Sequence, residues 1–126
     1  SENLLYATPE IPLSNLGWVY FHQKMYKKSK VYFKKSLEIR PDFLFFIHGI
    51  ASIYIETGYL AQAIDFLHQA LKKNPDAAIL HSDLAKVYEA LKQFDNAKNS
   101  WNIVLKLEPE TSPLAREAQK RLFELN

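Results

Sequence analysis

Proline recurs at Pro41, Pro75 and Pro109, each 34 residues after the last. Tyr20, Tyr54 and Tyr88 keep the same step. One period shared by unrelated residue types marks an internal repeat. A unit this short cannot bury its own apolar face, so copies must stack to share a core. Such arrays work as surfaces, so the period points towards recognition and away from a catalytic pocket.

Further positions align on the same period. Leu16, Ile50 and Leu84 match, as do Gly17, Ala51 and Ala85. Tyr26, Leu60 and Phe94 follow, then Ser29, Ala63 and Ala97, then Phe33, Leu67 and Trp101. Ser36, Ala70 and Val104, and then Leu37, Leu71 and Leu105, complete the set. Steps of three, four and seven place these residues on one face of a helix. The pattern breaks near Met25, Tyr59 and Gln93, and Gly58 stands at the break in the second repeat, suited to a left-handed helix end. Each period therefore reads as a helix, a short turn and a second helix. The expected helices are 12–23, 28–40, 43–56, 60–73, 77–90, 94–107 and 113–124.

Local chemistry supports this division. Gly17, Ala51 and Ala85, facing Ser29, Ala63 and Ala97, let paired helices approach closely. The periodic prolines end the second helix of each repeat, because the residue before proline avoids helical backbone. Asp42 and Asp76 follow directly and are expected to cap the next helix. After Pro109, Thr111 or Ser112 is the expected cap, with Pro113 at the first helical position. The segment beyond departs from the repeat. Leu114, Ala118, Leu122 and Leu125 form a stripe backed by Arg116, Glu117, Lys120, Arg121 and Glu124, as expected of a helix that closes a stack and turns its charges to water.

This pattern resembles the tetratricopeptide repeat family. The resemblance covers 10–111 as three repeats: 10–43, 44–77 and 78–111. Residues 112–126 read as the capping helix and 1–9 as an extension or the end of an upstream element. The fold it implies is all-α, a right-handed α-solenoid of three helix–turn–helix repeats plus the capping helix. The sequence departs from the family at its frequent tryptophan position, held here by Leu13, Ile47 and His81, and at Val104, which replaces a small residue.

In that family the first helix of each repeat lines a concave groove. Carried over, the groove positions are Ile11, Ser14, Asn15, Trp18, Phe21 and His22 in repeat one. Repeat two supplies Phe45, His48, Gly49, Ser52, Ile55 and Glu56. Repeat three supplies Ile79, Ser82, Asp83, Lys86, Glu89 and Ala90. The first two sets are aromatic and aliphatic, as peptide interfaces are. The competing reading is self-cover, by Leu4-Leu5-Tyr6 or by an upstream repeat. Some relatives grip a C-terminal carboxylate with Lys, Asn and Arg. Those positions here are Ser14, Trp18, Gly49, Ile79 and Asp83, so that clamp is missing.

Little else suggests chemistry. The absence of cysteine removes disulfides, thiolate metal sites and a cysteine nucleophile, and leaves the redox compartment open. His22, His48, His68 and His81 show no i, i+4 pair, and the three glycines form no phosphate loop. No enzymatic activity, cofactor or metal is expected. The net charge of +2 predicts no global attraction to nucleic acid or membrane, and no apolar run reaches the length of a spanning helix. The N-terminus shows no signal peptide, and a cytoplasmic setting is the default expectation. A local exception in charge is the segment from Lys24 to Arg40, where Lys24, Lys27, Lys28, Lys30, Lys34, Lys35 and Arg40 face only Glu38.

The reading that results is a non-catalytic protein–protein interaction module that takes a partner peptide or helix in its groove. One alternative is a structural array that packs on itself, as a homo-oligomer, or on an absent part of the same chain. Another is weak anionic-ligand binding, to nucleic acid or phospholipid, through the lysine-rich helix 27–40. Nucleic acid is disfavoured as the main partner.

Overall fold

The computed structural model describes residues 10–126, with side chains from Pro12 onward. The extension 1–9, the Leu4-Leu5-Tyr6 segment and the side chain of Ile11 lie outside the described residues. Among the described residues seven helices follow one another: α1 (Glu10–His22), α2 (Tyr26–Ile39), α3 (Leu44–Glu56), α4 (Leu60–Lys73), α5 (Ala78–Ala90), α6 (Phe94–Leu107) and α7 (Pro113–Leu125). No strand occurs among the described residues. The chain divides into two compact units, one ending at Thr57 and the other beginning at Gly58.

The turns repeat as strictly as the helices. Lys24, Gly58 and Lys92, again 34 apart, all adopt left-handed backbone with φ of 62°, 82° and 60°. Around Lys24, Met25 N–H donates to Tyr20 C=O at 2.8 Å, and Lys24 N–H donates to Phe21 C=O at 2.9 Å. Around Lys92, Gln93 N–H and Lys92 N–H reach Tyr88 and Glu89 at the same two distances. This paired closure satisfies carbonyls that a helix end otherwise leaves open. Glycine takes up left-handed backbone without penalty, whereas both lysines adopt it against a steric cost.

The starts of the helices correct one expectation. Phe43 and Ala77 occupy the caps of α3 and α5, and neither side chain bonds to the backbone. Asp42 and Asp76 therefore stand one residue too early to cap. The turns are closed by backbone instead: Phe43 N–H donates to Arg40 C=O at 3.2 Å, and Ala77 N–H to Asn74 C=O at 3.1 Å. At α7 the expected cap is present. Ser112 Oγ accepts from Ala115 N–H at 3.1 Å, and Pro113 opens the helix.

In the first unit α1 packs on α2 and α2 on α3. The fully buried Phe33 is the centre of this arrangement. A Cβ added to Gly17 on α1 would stand 3.0 Å from the Phe33 ring, and one added to Gly49 on α3 would stand 2.7 Å away. Both glycines are thus seats for one ring. Ser29 adds a polar tie: its hydroxyl donates to Gly17 C=O at 2.7 Å within the buried α1–α2 contact. Of the aligned apolar set, Ile50 and Leu84 are buried but Leu16 is exposed.

In the second unit α5 packs on α4 and, more extensively, on α6, and α7 lies mainly along α6. Ala85, Trp101, Val104 and Ala118 form a buried cluster, with Leu105, Leu114, Leu122 and Leu125 packed against it. The stripe read from the sequence is therefore the buried face of α7. Its charged back is only partly turned to water. Arg121 pairs with Glu89, and Lys86 Nζ lies 3.6 Å from Glu117, so two of the five charges face α5.

Candidate partner-binding site

The first unit carries an aromatic face built from α1 and α3. Trp18 is its hub. Its indole meets the buried Phe33 ring edge-on at a centroid distance of 4.9 Å, which seats it on the core. Phe21 packs edge-on at 5.4 Å from α1, and His22 stacks at 6.2 Å. From α3, His48 lies 5.5 Å away and Phe45 6.2 Å away. Spacings of three and four along each helix bring these residues to one face. Ring contacts of this kind, edge-to-face or offset, fix orientation as well as burying area.

Exposure is graded across this face. Trp18, Phe21 and His48 are half-buried, while His22 is exposed and Phe45 is 55% exposed. The result is an aromatic shelf with one open end. Asn15 and Glu56 are exposed at the margins, and Ile55 is half-buried. Ser52 is half-buried, and its hydroxyl donates to His48 C=O at 2.8 Å. Ser14 and Gly49 are buried. Gly49 was placed on the groove side by the resemblance, but its Cα faces the Phe33 ring.

The corresponding residues of the second unit differ in character. Ile79 is half-buried, Ala90 is exposed, and Ser82 and Asp83 are almost completely enclosed. The Ser82 hydroxyl donates to Ile79 C=O at 2.6 Å. Lys86 and Glu89 are engaged by α7. Glu89 also accepts the indole N–H of Trp101 at 2.6 Å. The sequence names no such bond, although tryptophan at a core position signals that its N–H needs an acceptor nearby. His81, which stands where the family often has tryptophan, donates from Nε2 to Pro75 C=O at 2.7 Å, and its Nδ1 is enclosed without a partner.

Among the described residues, no group of three or more His, Asp or Glu side chains is arranged to hold a metal ion. No helix among the described residues is long and apolar enough to cross a membrane. A shallow depression beside Asp65, His68, Gln69, Leu71 and Lys72 lies along α4 alone and is nearly flat.

The tetratricopeptide repeat family matches this chain over residues 12–43 and again over 54–122. Because the second match alone spans more than half of the sequence, the chain belongs to the tetratricopeptide repeat family. Among curated proteins, it is 30% identical over 91 residues to anaphase-promoting complex subunit 3 of Schizosaccharomyces pombe, covering 72% of this chain and 14% of that protein. It is 38% identical over 55 residues to the uncharacterized protein ycf37 of Pyropia yezoensis, covering 44% of this chain and 31% of that protein. It thus spans less than a third of either relative.

Solved structures agree on the fold. PcrH from Pseudomonas aeruginosa superposes with a TM-score of 0.81 at 15% identity, covering 93% of this chain and 91% of that one. The TPR2B domain of yeast Sti1, solved as a pHsp70 complex, gives 0.79 at 15% identity, covering 92% and 94%. The first TPR domain of Spaghetti (RPAP3), bound to the HSP90 peptide SRMEEVD, gives 0.75 at 23% identity, covering 92% and 89%. The fold class is that of these domains, an all-α solenoid of helical repeats.

Proposed function

We propose that this chain is a non-catalytic protein-interaction module whose first unit receives an apolar segment of a partner on the aromatic face of α1 and α3. Tetratricopeptide repeats typically serve as interaction surfaces, and two of the structural neighbours are complexes, one with an HSP90 peptide and one with pHsp70. The observation that carries the reading is the Trp18 shelf. Trp18 is held by Phe33 from below and flanked by Phe21, His22, Phe45 and His48. A pre-set aromatic surface loses little side-chain entropy on binding, which is why aromatic residues dominate binding hot spots.

The anchor is apolar rather than a terminal carboxylate. The peptide in the Spaghetti complex ends in Asp, with two Glu shortly before it. Here the five positions that resemblance assigns to a carboxylate clamp are Ser14, Trp18, Gly49, Ile79 and Asp83, none of them cationic. Peptides selected from a random display library test this. Selected peptides should carry an aromatic or branched aliphatic residue, and amidating their C-terminus should leave binding unchanged. Loss of binding on amidation would contradict the reading.

A further inference from the structure

A second surface stands apart from the aromatic shelf. Residues 10–57 hold seven basic side chains against four acidic, whereas 58–126 hold nine of each. The surplus in the first unit is concentrated on α2. Lys27, Lys28, Lys34 and Lys35 are all exposed along this helix. Val31 stands among them, three or four residues from each, and is 49% exposed. Since residues three and four apart are neighbours on a helix, the valine is the centre of a four-lysine ring.

Ion pairs among the described residues involve only two of the sixteen basic side chains. In the second unit Lys86 and Arg121 meet carboxylates of their own chain. On α2, no lysine pairs with a carboxylate among the described residues. Several rest on tyrosine rings instead. Lys28 lies 5.4 Å from the Tyr20 centroid and Lys35 lies 5.5 Å from that of Tyr32, and these two rings stack at 5.5 Å. Lys30 lies 4.6 Å from the Tyr54 ring and helps to fix α2 on α3. A ring beneath an ammonium steers the side chain without neutralising its charge. Lys28 and Lys35 are therefore oriented by rings, and none of the four lysines is neutralised by a carboxylate among the described residues.

We infer that the outer face of α2 is a docking surface for an acidic segment of a partner protein, with carboxylates meeting Lys27, Lys28, Lys34 and Lys35 around an apolar residue seated on Val31. Charge complementarity sets the sign of the partner, and the exposed valine sets its class. A nucleic acid offers phosphates but no aliphatic group for Val31. The tyrosines of this face are already stacked on each other, and single-stranded nucleic acid relies on free rings on which bases stack. This surface uses neither Trp18 nor Phe45, so its success or failure is independent of the aromatic shelf.

The test is fluorescence anisotropy at about 50 mM salt, where exposed charges are weakly screened. The probe is a fluorescein-labelled peptide of about 14 residues, the length of α2, made of Glu and Ala with one central Leu. Its comparison is the same peptide with Gln for Glu. Binding should require Glu, and Lys27→Glu with Lys34→Glu should weaken it about tenfold or more. Val31→Ser should weaken it about threefold. Circular dichroism checks that these surface variants remain folded. Absence of binding, or equal binding of the Gln peptide, would overturn the inference. So would equal or tighter binding of an oligothymidylate or of phosphatidylserine vesicles with Val31→Ser silent, which would make the face a general anion surface.

Discussion

The indole N–H of Trp101 donates to the carboxylate of Glu89 at 2.6 Å, and the other oxygen of that carboxylate accepts from Arg121. Trp101 is fully buried in α6, Glu89 belongs to α5, and Arg121 comes from α7. One carboxylate thus ties three helices of the second unit, and it does so at the margin of the core, where its own side chain is 12% exposed.

Removing that carboxylate strands a buried donor and leaves a guanidinium without its partner. Glu89→Ala should destabilise the protein by about 2 kcal/mol, the range for an orphaned buried polar group. Arg121→Ala should cost about 1 kcal/mol or less, because the arginine is about a third exposed and the Trp101 bond survives. Urea unfolding of the two variants measures the order. Equal losses would show that the indole bond adds nothing.

The left-handed turn positions predict opposite signs for similar changes. Gly58→Ala should cost about 1 kcal/mol, purely through the backbone, since nothing lies within 4 Å of an added Cβ. Lys24→Gly and Lys92→Gly should each be neutral or stabilising by about 0.5 kcal/mol, as relief of left-handed strain outweighs the added freedom of the unfolded chain. Thermal unfolding of the three variants is sufficient. A clear loss in either lysine variant would contradict the account of the turns.

The Phe33 seat predicts a graded pair. Gly49→Ala should be worse than Gly17→Ala, since its Cβ would meet the ring at 2.7 Å rather than 3.0 Å. Overpacking of this kind costs about 1–3 kcal/mol. Phe33→Leu should lessen the penalty of Gly49→Ala in the double variant. The stability difference across that double-mutant cycle reads the coupling directly. Additive losses would mean that the clash is not with Phe33.

Much of this architecture is legible from the period. It places α4 and α6 at their observed bounds and locates the turn at Gly58 and the closing helix, whose cap, left open between Thr111 and Ser112 by the sequence, is Ser112. What escapes it is whatever depends on neighbours distant in sequence. The period aligns Lys24 and Lys92 with Gly58, yet nothing in a lysine side chain itself announces a positive φ. Asp42 and Asp76 look like caps, but the prolines before them are followed by backbone-closed turns that move the cap one residue on. For the candidate site, helical spacing and family resemblance bring Trp18, Phe21, Phe45 and His48 to one face. The support beneath them was not legible, since only packing shows that Gly17 and Gly49 clear space for Phe33. The engagement of Lys86 and Glu89 by α7 was equally hidden, because charges on a terminal helix read as solvent-facing.

The most direct measurement for the interaction surface is the Kd of a display-selected peptide for wild type, Trp18→Ala and Phe45→Ala, read by anisotropy. Trp18→Ala should weaken binding by about 2 kcal/mol, near thirtyfold, as expected for a central aromatic anchor. Phe45→Ala should also weaken it, and because that ring is 55% exposed the variant should keep wild-type stability, which separates lost contact from lost fold. Unchanged affinity in both variants, with the helical spectrum intact, would contradict the assignment of partner binding to the aromatic face of α1 and α3.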